Sequence, residues 1–229
     1  MPALVTAAPF VRPPLSAAAE DYLKALYKLG GAADPVATTD LAAALDVAAP
    51  SVTGMLKRLD ELGLVAHRAY QGARLTEGGR LVALEVIRHH RLLERYLHEV
   101  VGMDWAEVHA EAEVLEHHIS EALEARLDAL LGHPTHDPHG DPIPTLDGHL
   151  APRAETSLAD VPVGAWRVAR LSSHDPALLG ALDALGLLPG TPLSLDARTD
   201  DAVRLTRDGA AAFALPLDTA RHVFVEAAV

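Results

Sequence analysis

Apolar side chains recur with helical spacing over residues 17–29, at Tyr22, Leu23, Leu26 and Leu29. That is the stripe a helix turns toward a core. Ser16 stands where an N-cap belongs, and Gly30 and Gly31 stand where the helix stops. Thr38 or Thr39 caps a short second helix over residues 40–45. Pro50 fits the first turn of a third helix running to about residue 62, with Val52, Leu56, Leu59 and Leu62 on its apolar side and Gly63 as its stop. Leu64 and Val65 open a strand, residues 70–72 read as a turn, and residues 73–75 as the return strand. Three helices followed by a hairpin predict a winged helix-turn-helix. The proline-rich first 14 residues read as a loose arm.

The helical period returns in residues 76–100, where Gly102 supplies a stop, and again from Asp104 or Trp105 to about residue 131. Residues 133–144 are polar, rich in proline and without period, a loop or linker. Residues 151–160 are a second candidate linker. Short apolar runs then follow at 166–171, 192–195, 203–206, 211–215 and 222–225, interrupted by a short helix over 177–185, and they predict a small barrel. The chain is therefore mainly α with small β, divided at residues 1–76, 77–150 and 151–229.

Composition and charge change this picture in two ways. The 229 residues include no cysteine, which excludes a disulfide scaffold, thiolate zinc sites and a cysteine nucleophile, and leaves His, Asp and Glu to hold any metal. No stretch approaches the roughly 20 apolar residues of a spanning helix, and no basic stretch followed by an apolar run opens the chain. The expected compartment is the cytoplasm. The net charge of −13 argues against a nucleic-acid partner, but its distribution reverses that argument. Residues 51–95 carry 8 basic and 5 acidic side chains, whereas residues 96–150 carry 1 and 12. Ten of the 13 histidines fall between His89 and His149.

The positive segment contains the second helix of the helix-turn-helix. With Val52, Leu56 and Leu59 buried, Ser51, Thr53, Gly54, Lys57 and Arg58 point outward. Small hydroxyls there suit base edges in a major groove, and Lys57 and Arg58 suit phosphates. Arg68 and Arg74 flank the wing turn. With Thr39 these are the candidate DNA contacts, set against the plain reading of a solvated helix face. In the acidic segment Glu113, Glu116 and His117, at i, i+3 and i+4, share one helix face. Carboxylates converging on an imidazole repel unless a cation or protons lie between them, and hard oxygen donors with one nitrogen suit Mn(II) or Fe(II), with Zn(II) also open. His90, Glu94 and His98 share a face of the preceding helix, and antiparallel packing would bring His90 and Glu94 near His109, Glu113 and His117. The alternative is a polar, histidine-rich seam. His133, His136, Asp137, His139 and Asp141 form a further cluster, read as structural because the loop lacks helical preorganisation. His-Glu-x-x-His, Gly-x-Ser-x-Gly and phosphate-cradling glycine motifs are absent, so no enzyme is expected.

Four stretches together resemble one family: residues 20–27, the Ser51-Val52-Thr53 helix, residues 88–94 and residues 113–118, with residues 138–144 as a matching linker. The chain resembles the diphtheria-toxin-repressor family of metal-dependent regulators, which includes iron-dependent repressors and manganese transport regulators. The resemblance implies a homodimer of winged-helix domains, a helical dimerisation and metal domain, and a C-terminal SH3-like (FeoA-like) small β-barrel. It implies metal-activated binding to double-stranded DNA at a palindromic, inverted-repeat operator, with repression of metal-uptake genes and no membrane or small-molecule substrate as partner. Residue by residue it assigns Asp21, Glu113, Glu116 and His117 to a primary metal site, His90, Glu94 and His109 to a second, and His174 or Asp175 to a ligand from the C-terminal domain. Asp21 and Glu113 stand where iron-responsive members often have Met and Cys, so the resemblance favours Mn(II), with Fe(II) the alternative and Zn(II), Co(II) or Cd(II) as substitutes in vitro. Lys24 stands where manganese regulators have a second N-terminal carboxylate; a cation there cannot ligate, which argues against a closely spaced two-manganese centre and favours separate primary and ancillary sites. The competing classes are a His/carboxylate metalloenzyme and a metal-buffering dimer.

Overall fold

A computed structural model describes residues 12–68, 71–173, 175–207 and 211–228. The chain divides into two compact units, the first running through Ile87 and taking in Thr145–His149, the second comprising Arg88–Pro144 and Leu150–Val229.

The first unit holds α1 (Ala17–Lys28), α2 (Thr38–Ala44), α3 (Ala49–Glu61), β1 (Val65–Arg68), β2 (Gly72–Leu75) and the beginning of α4 (Glu77–Tyr96). Ser16 caps α1 by accepting from the Ala19 amide. Its core gathers Leu23, Leu26, Leu41, Val52, Leu56, Leu59, Val65 and Val82; Leu29 and Leu62, which the helical period placed on the apolar stripes of α1 and α3, are instead 41% exposed where the helices end. β1 and β2 pair antiparallel with Val65 opposite Leu75, and Val36 bridges to Ala73. That extended entry starts α2 at Thr38 with Ala37 as an N-cap that makes no side-chain bond, so neither threonine is the cap. Gly79 lets α4 lie against the turn before β1, because a β-carbon there would fall on the Leu64 carbonyl. This is the expected winged helix-turn-helix.

The second unit continues α4 and closes it with a π-helical turn, Leu97–Val101, ended by left-handed Gly102. The single long helix expected next is two: α5 (Val108–Leu115) and α6 (Glu121–Leu130). Glu116 is the C-cap of α5, His117 and His118 lie in a turn, and Ser120 restarts the chain as an extended N-cap accepting from the Leu123 amide. No glycine or proline marks the break. The carbonyl of Glu116 instead meets His89 Nδ1 at 3.2 Å, so a side chain supplies the partner that a continuing helix would have provided.

Among the described residues, five antiparallel strands follow in the order β6-β5-β4-β3-β7: β3 (Gly164–Leu171), β4 (Pro192–Arg198), β5 (Ala202–Arg207), β6 (Phe213–Pro216) and β7 (Val223–Ala227), with helices α7 (Pro176–Ala184) and α8 (Leu217–Ala220). This is the small SH3-like sheet. Val168, Leu179, Leu182, Leu205 and Val223 fill its core, joined by Trp105 and Ala106 from the helical segment. The two expected linkers are packed. Leu158 is buried and donates to the Val223 carbonyl, while Asp137, His139 and Ile143 are buried in the proline-rich loop.

Ser120→Ala is expected to lower stability by about 1 kcal/mol, as loss of an N-cap does. Urea unfolding followed by circular dichroism measures it.

Candidate metal centre and DNA face

Residues 88–91 sit on the second half of α4, where each step turns the side chain by about 100°. Four consecutive side chains therefore reach different elements. Arg88 meets Glu124 at 2.5 Å and Asp128 at 3.1 Å, both on α6, and donates to the Pro144 carbonyl. His89 lies between the Glu116 carbonyl and the Glu124 carboxylate, 3.3 Å from the latter. Arg91 Nε lies 3.5 Å from Asp137. His90 enters the largest cluster.

His90 Nδ1 is 2.6 Å from Glu116 Oε2 and 3.6 Å from Glu113 Oε1. Its Nε2 is 2.9 Å from Glu94 Oε1 and 2.9 Å from His109 Nδ1. His109 Nδ1 is itself 3.0 Å from Glu94 Oε1, and His117 Nε2 is 3.3 Å from Glu116 Oε1. The second unit thus brings together His90, Glu94, His109, Glu113, Glu116 and His117. Burial would lower the pKa of His90, but Glu94 and Glu116 outweigh it and hold the ring up at about 9. Burial likewise pushes Glu94 up, yet His90, His109 and His139 keep it well below the usual carboxylate range. With only protons to balance the carboxylates, His90 carries one.

The donor set fits a hard or borderline divalent cation: carboxylate oxygens and imidazole nitrogens, with no thiol anywhere in the chain. The spacing fits as well. An octahedral ion with bonds of about 2.1 Å holds neighbouring donors about 3.0 Å apart, and Glu94 Oε1, His90 Nε2 and His109 Nδ1 are 2.9–3.0 Å from one another.

The loop residues Asp137 and His139, which the sequence reads as structural, form a further group. Asp137 and His139 lie with Glu94, all three buried, with one donor atom of each within 4.8 Å of the others. Asp137 Oδ1 accepts from the amides of His139 and Asp141, a loop-shaping turn that also positions the carboxylate. Burial, with Glu94 adding to it, raises Asp137 to about 7. The sequence signal was the histidine-aspartate density of the loop; its place beside α4 was not in the sequence. Asp175 caps α7 by accepting from the Ala177 amide, and His174 lies outside the described residues. Asp21 is half-buried on α1 in the first unit. His98 and His118 are exposed, and His98 Nδ1 meets the Met103 carbonyl.

On the first unit Val52, Leu56 and Leu59 are fully buried beneath α3, and Ser51, Thr53, Lys57 and Arg58 are exposed, as are Thr39, Arg68 and Arg74.

Three family models match along the chain: the iron-dependent repressor N-terminal DNA-binding domain at residues 14–73, the iron-dependent repressor metal-binding and dimerisation domain at 76–145, and the FeoA domain at 156–227. The iron-dependent repressor IdeR of Mycobacterium tuberculosis is 34% identical over 220 residues, covering 90% of this chain and 96% of that protein. The chain belongs to the diphtheria-toxin-repressor family of metal-dependent transcriptional regulators. A solved manganese-dependent transcriptional repressor in complex with manganese is 38% identical with a TM-score of 0.82, covering 92% of this chain and all of that one. The repressor ScaR with bound Cd2+ is 32% identical with a TM-score of 0.75, covering 92% of this chain and 99% of that one. The chain is accordingly a metal-dependent, DNA-binding transcriptional repressor and not an enzyme. Among the described residues no helix is long and apolar enough to cross a membrane.

Arg88→Ala leaves Glu124, 2% exposed, without its guanidinium. A buried charge left so costs about 3 kcal/mol or more, and the urea midpoint of the metal-free protein is expected to fall accordingly.

Proposed function

We propose that the regulator is activated by Mn(II) and acts in the cytoplasm as a homodimer on a palindromic operator, repressing metal-uptake genes. The observation that carries the metal assignment is the all-oxygen-and-nitrogen donor set at octahedral spacing around His90, Glu94 and His109. Hard carboxylates favour Mn(II) over softer ions by ligand type, although Zn(II), Co(II) or Cd(II) will bind such a site in vitro on raw affinity.

Glu113, Glu116 and His117 stand at the corner between α5 and α6 and form the core of the primary site, to which the family resemblance assigns Asp21. Bound metal supplies the positive charge that lets these groups converge without holding protons. Glu116 and His117 then fix the corner, and the DNA-competent state is favoured to the extent that these ligands are better assembled in it. The helical segment around them leaves Val100, Val101, Val114 and Leu130 more than half exposed, apolar surface that suits a second copy of the chain. On α3, Ser51 and Thr53 are placed to read bases while Lys57 and Arg58 hold phosphates. The net charge of −13 disfavours non-specific binding elsewhere on the surface.

Selection of genomic fragments with Mn(II), with anaerobic Fe(II) and with chelator tests the reading. Recovery of an inverted repeat only with metal, strongest with Mn(II), is expected. Preference for Fe(II) overturns the metal assignment, and equal recovery in all three overturns the regulator. Three further outcomes are expected. Glu113→Ala with Glu116→Ala abolishes the metal stimulation of DNA binding measured by fluorescence anisotropy. Lys57→Ala weakens binding about equally on all sequences and lowers the salt slope by about one, whereas Ser51→Ala shifts the preference among operator variants.

A further inference from the structure

We propose that Gly54 is a positioning residue of the DNA face: it leaves the backbone of α3 bare at the centre of that face, so that the floor of a major groove seats directly against the helix. The proposal rests on the reading of α3 as the helix that enters the groove, and adds the residue that sets how deep it goes.

Gly54 lies inside a 13-residue helix, Ala49–Glu61, where glycine is the least favourable residue short of proline. The fold itself gives no reason for it. Its φ is not positive, so no left-handed turn requires it, and a β-carbon built there meets nothing within 4 Å. Two other glycines of the same unit are different. A β-carbon at Gly72, with φ of 83°, would strike the Val36 carbonyl, and one at Gly79 the Leu64 carbonyl. Gly54 weakens its helix and relieves no crowding within the chain. What gains from the missing side chain therefore lies outside the chain.

The direction of Gly54 says what approaches it. At about 100° per residue it points about 200° from Val52, straight away from the buried stripe of Val52, Leu56 and Leu59. Thr53 and Lys57 stand on one side of it and Ser51 and Arg58 on the other, all four exposed. Thr53 donates its hydroxyl to the Ala49 carbonyl at 3.3 Å, which holds that side chain against the helix. The outward face is thus a hollow rimmed by hydroxyl residues and cations. A B-form major groove about 12 Å wide and about 8.5 Å deep takes a helix about 10–12 Å across, a fit with little spare room. A β-carbon at the leading edge lifts the helix and lengthens every contact on the rim, and hydrogen bonds weaken steeply outside their normal range. An open glycine alone does not mark such a face. Gly180 is equally open, but its helix α7 carries no lysine or arginine, and it serves as the control.

The experiment uses the full chain with Mn(II) and the inverted repeat recovered by genomic selection. Gly54→Ala, Gly54→Leu and Gly180→Ala are compared by thermal midpoint and by fluorescence anisotropy on that operator. Gly54→Ala is expected to raise the midpoint by about 2–4 °C and yet to weaken operator binding by about tenfold. Gly54→Leu weakens binding further, at a midpoint no lower than that of the wild type. Binding to a scrambled duplex changes less in both, because only a seated helix meets the groove floor. Gly180→Ala raises the midpoint and leaves operator binding unchanged. Unchanged operator affinity in both Gly54 variants overturns the proposal, as does a lowered midpoint in Gly54→Ala, which makes the glycine structural. A wild-type protein that binds no DNA with metal refutes the regulator reading. Operator binding that is weakened by Lys57→Ala but by neither Gly54 variant refutes this proposal alone.

Discussion

Buried carboxylates must meet positive charge, and in this chain one short run of a helix meets nearly all of them. Arg88, His89, His90 and Arg91 are successive on α4, and their partners are Glu124, Glu116, Glu94 and Asp137. A helix spreads consecutive side chains around its axis, so the run faces α6, the α5–α6 corner, its own next turn and the proline-rich loop at once. Taking a charge from water costs several kcal/mol unless it is paired. These pairings therefore decide where α5 ends, where α6 lies and how the loop closes. The break at Glu116 is a consequence: its carbonyl and its carboxylate are held by neighbouring histidines of the same run.

The same constraint joins structure to metal response. His90 sits between Glu94 and Glu116 with each nitrogen within 3 Å of an oxygen, an arrangement that needs positive charge, supplied by protons or by a cation. The acidic excess of residues 96–150, which sequence arithmetic alone makes look like a solvated face, is largely organised toward α4. The basic excess of residues 51–95 is divided. Lys57, Arg58, Arg68 and Arg74 stay exposed around the candidate DNA face, while Arg88 and Arg91 turn inward as counter-charges. Net charge per segment thus does not distinguish the exposed cations from those that neutralise buried carboxylates.

Much of this was legible in the order of residues. Helical period, Ser16, Gly63 and Gly102 placed α1, α3 and the end of α4, because caps and stops are local and act through the adjacent backbone. The spacing of His90, Glu94, His109, Glu113, Glu116 and His117 was visible, because ligand faces on helices repeat at three and four residues. The helix break at residues 116–120 is hidden in the sequence, although Ser120 followed by Glu121 is a cap signal, because the apolar period runs through it without interruption. Asp137 and His139 read as scaffolding in the sequence, since a loop's contacts do not follow from its own period.

By itself the sequence determined the local elements, the winged-helix order, the absence of thiol ligands and the donor types available for a metal. These rest on backbone propensity and side-chain chemistry, which need no distant partner. Only the tertiary structure decided which donors share a pocket, that Trp105 belongs to the core of the C-terminal sheet, and that a loop some 40 residues from Glu94 returns to face its second oxygen. Those facts depend on burial, and burial is settled by how elements pack against one another.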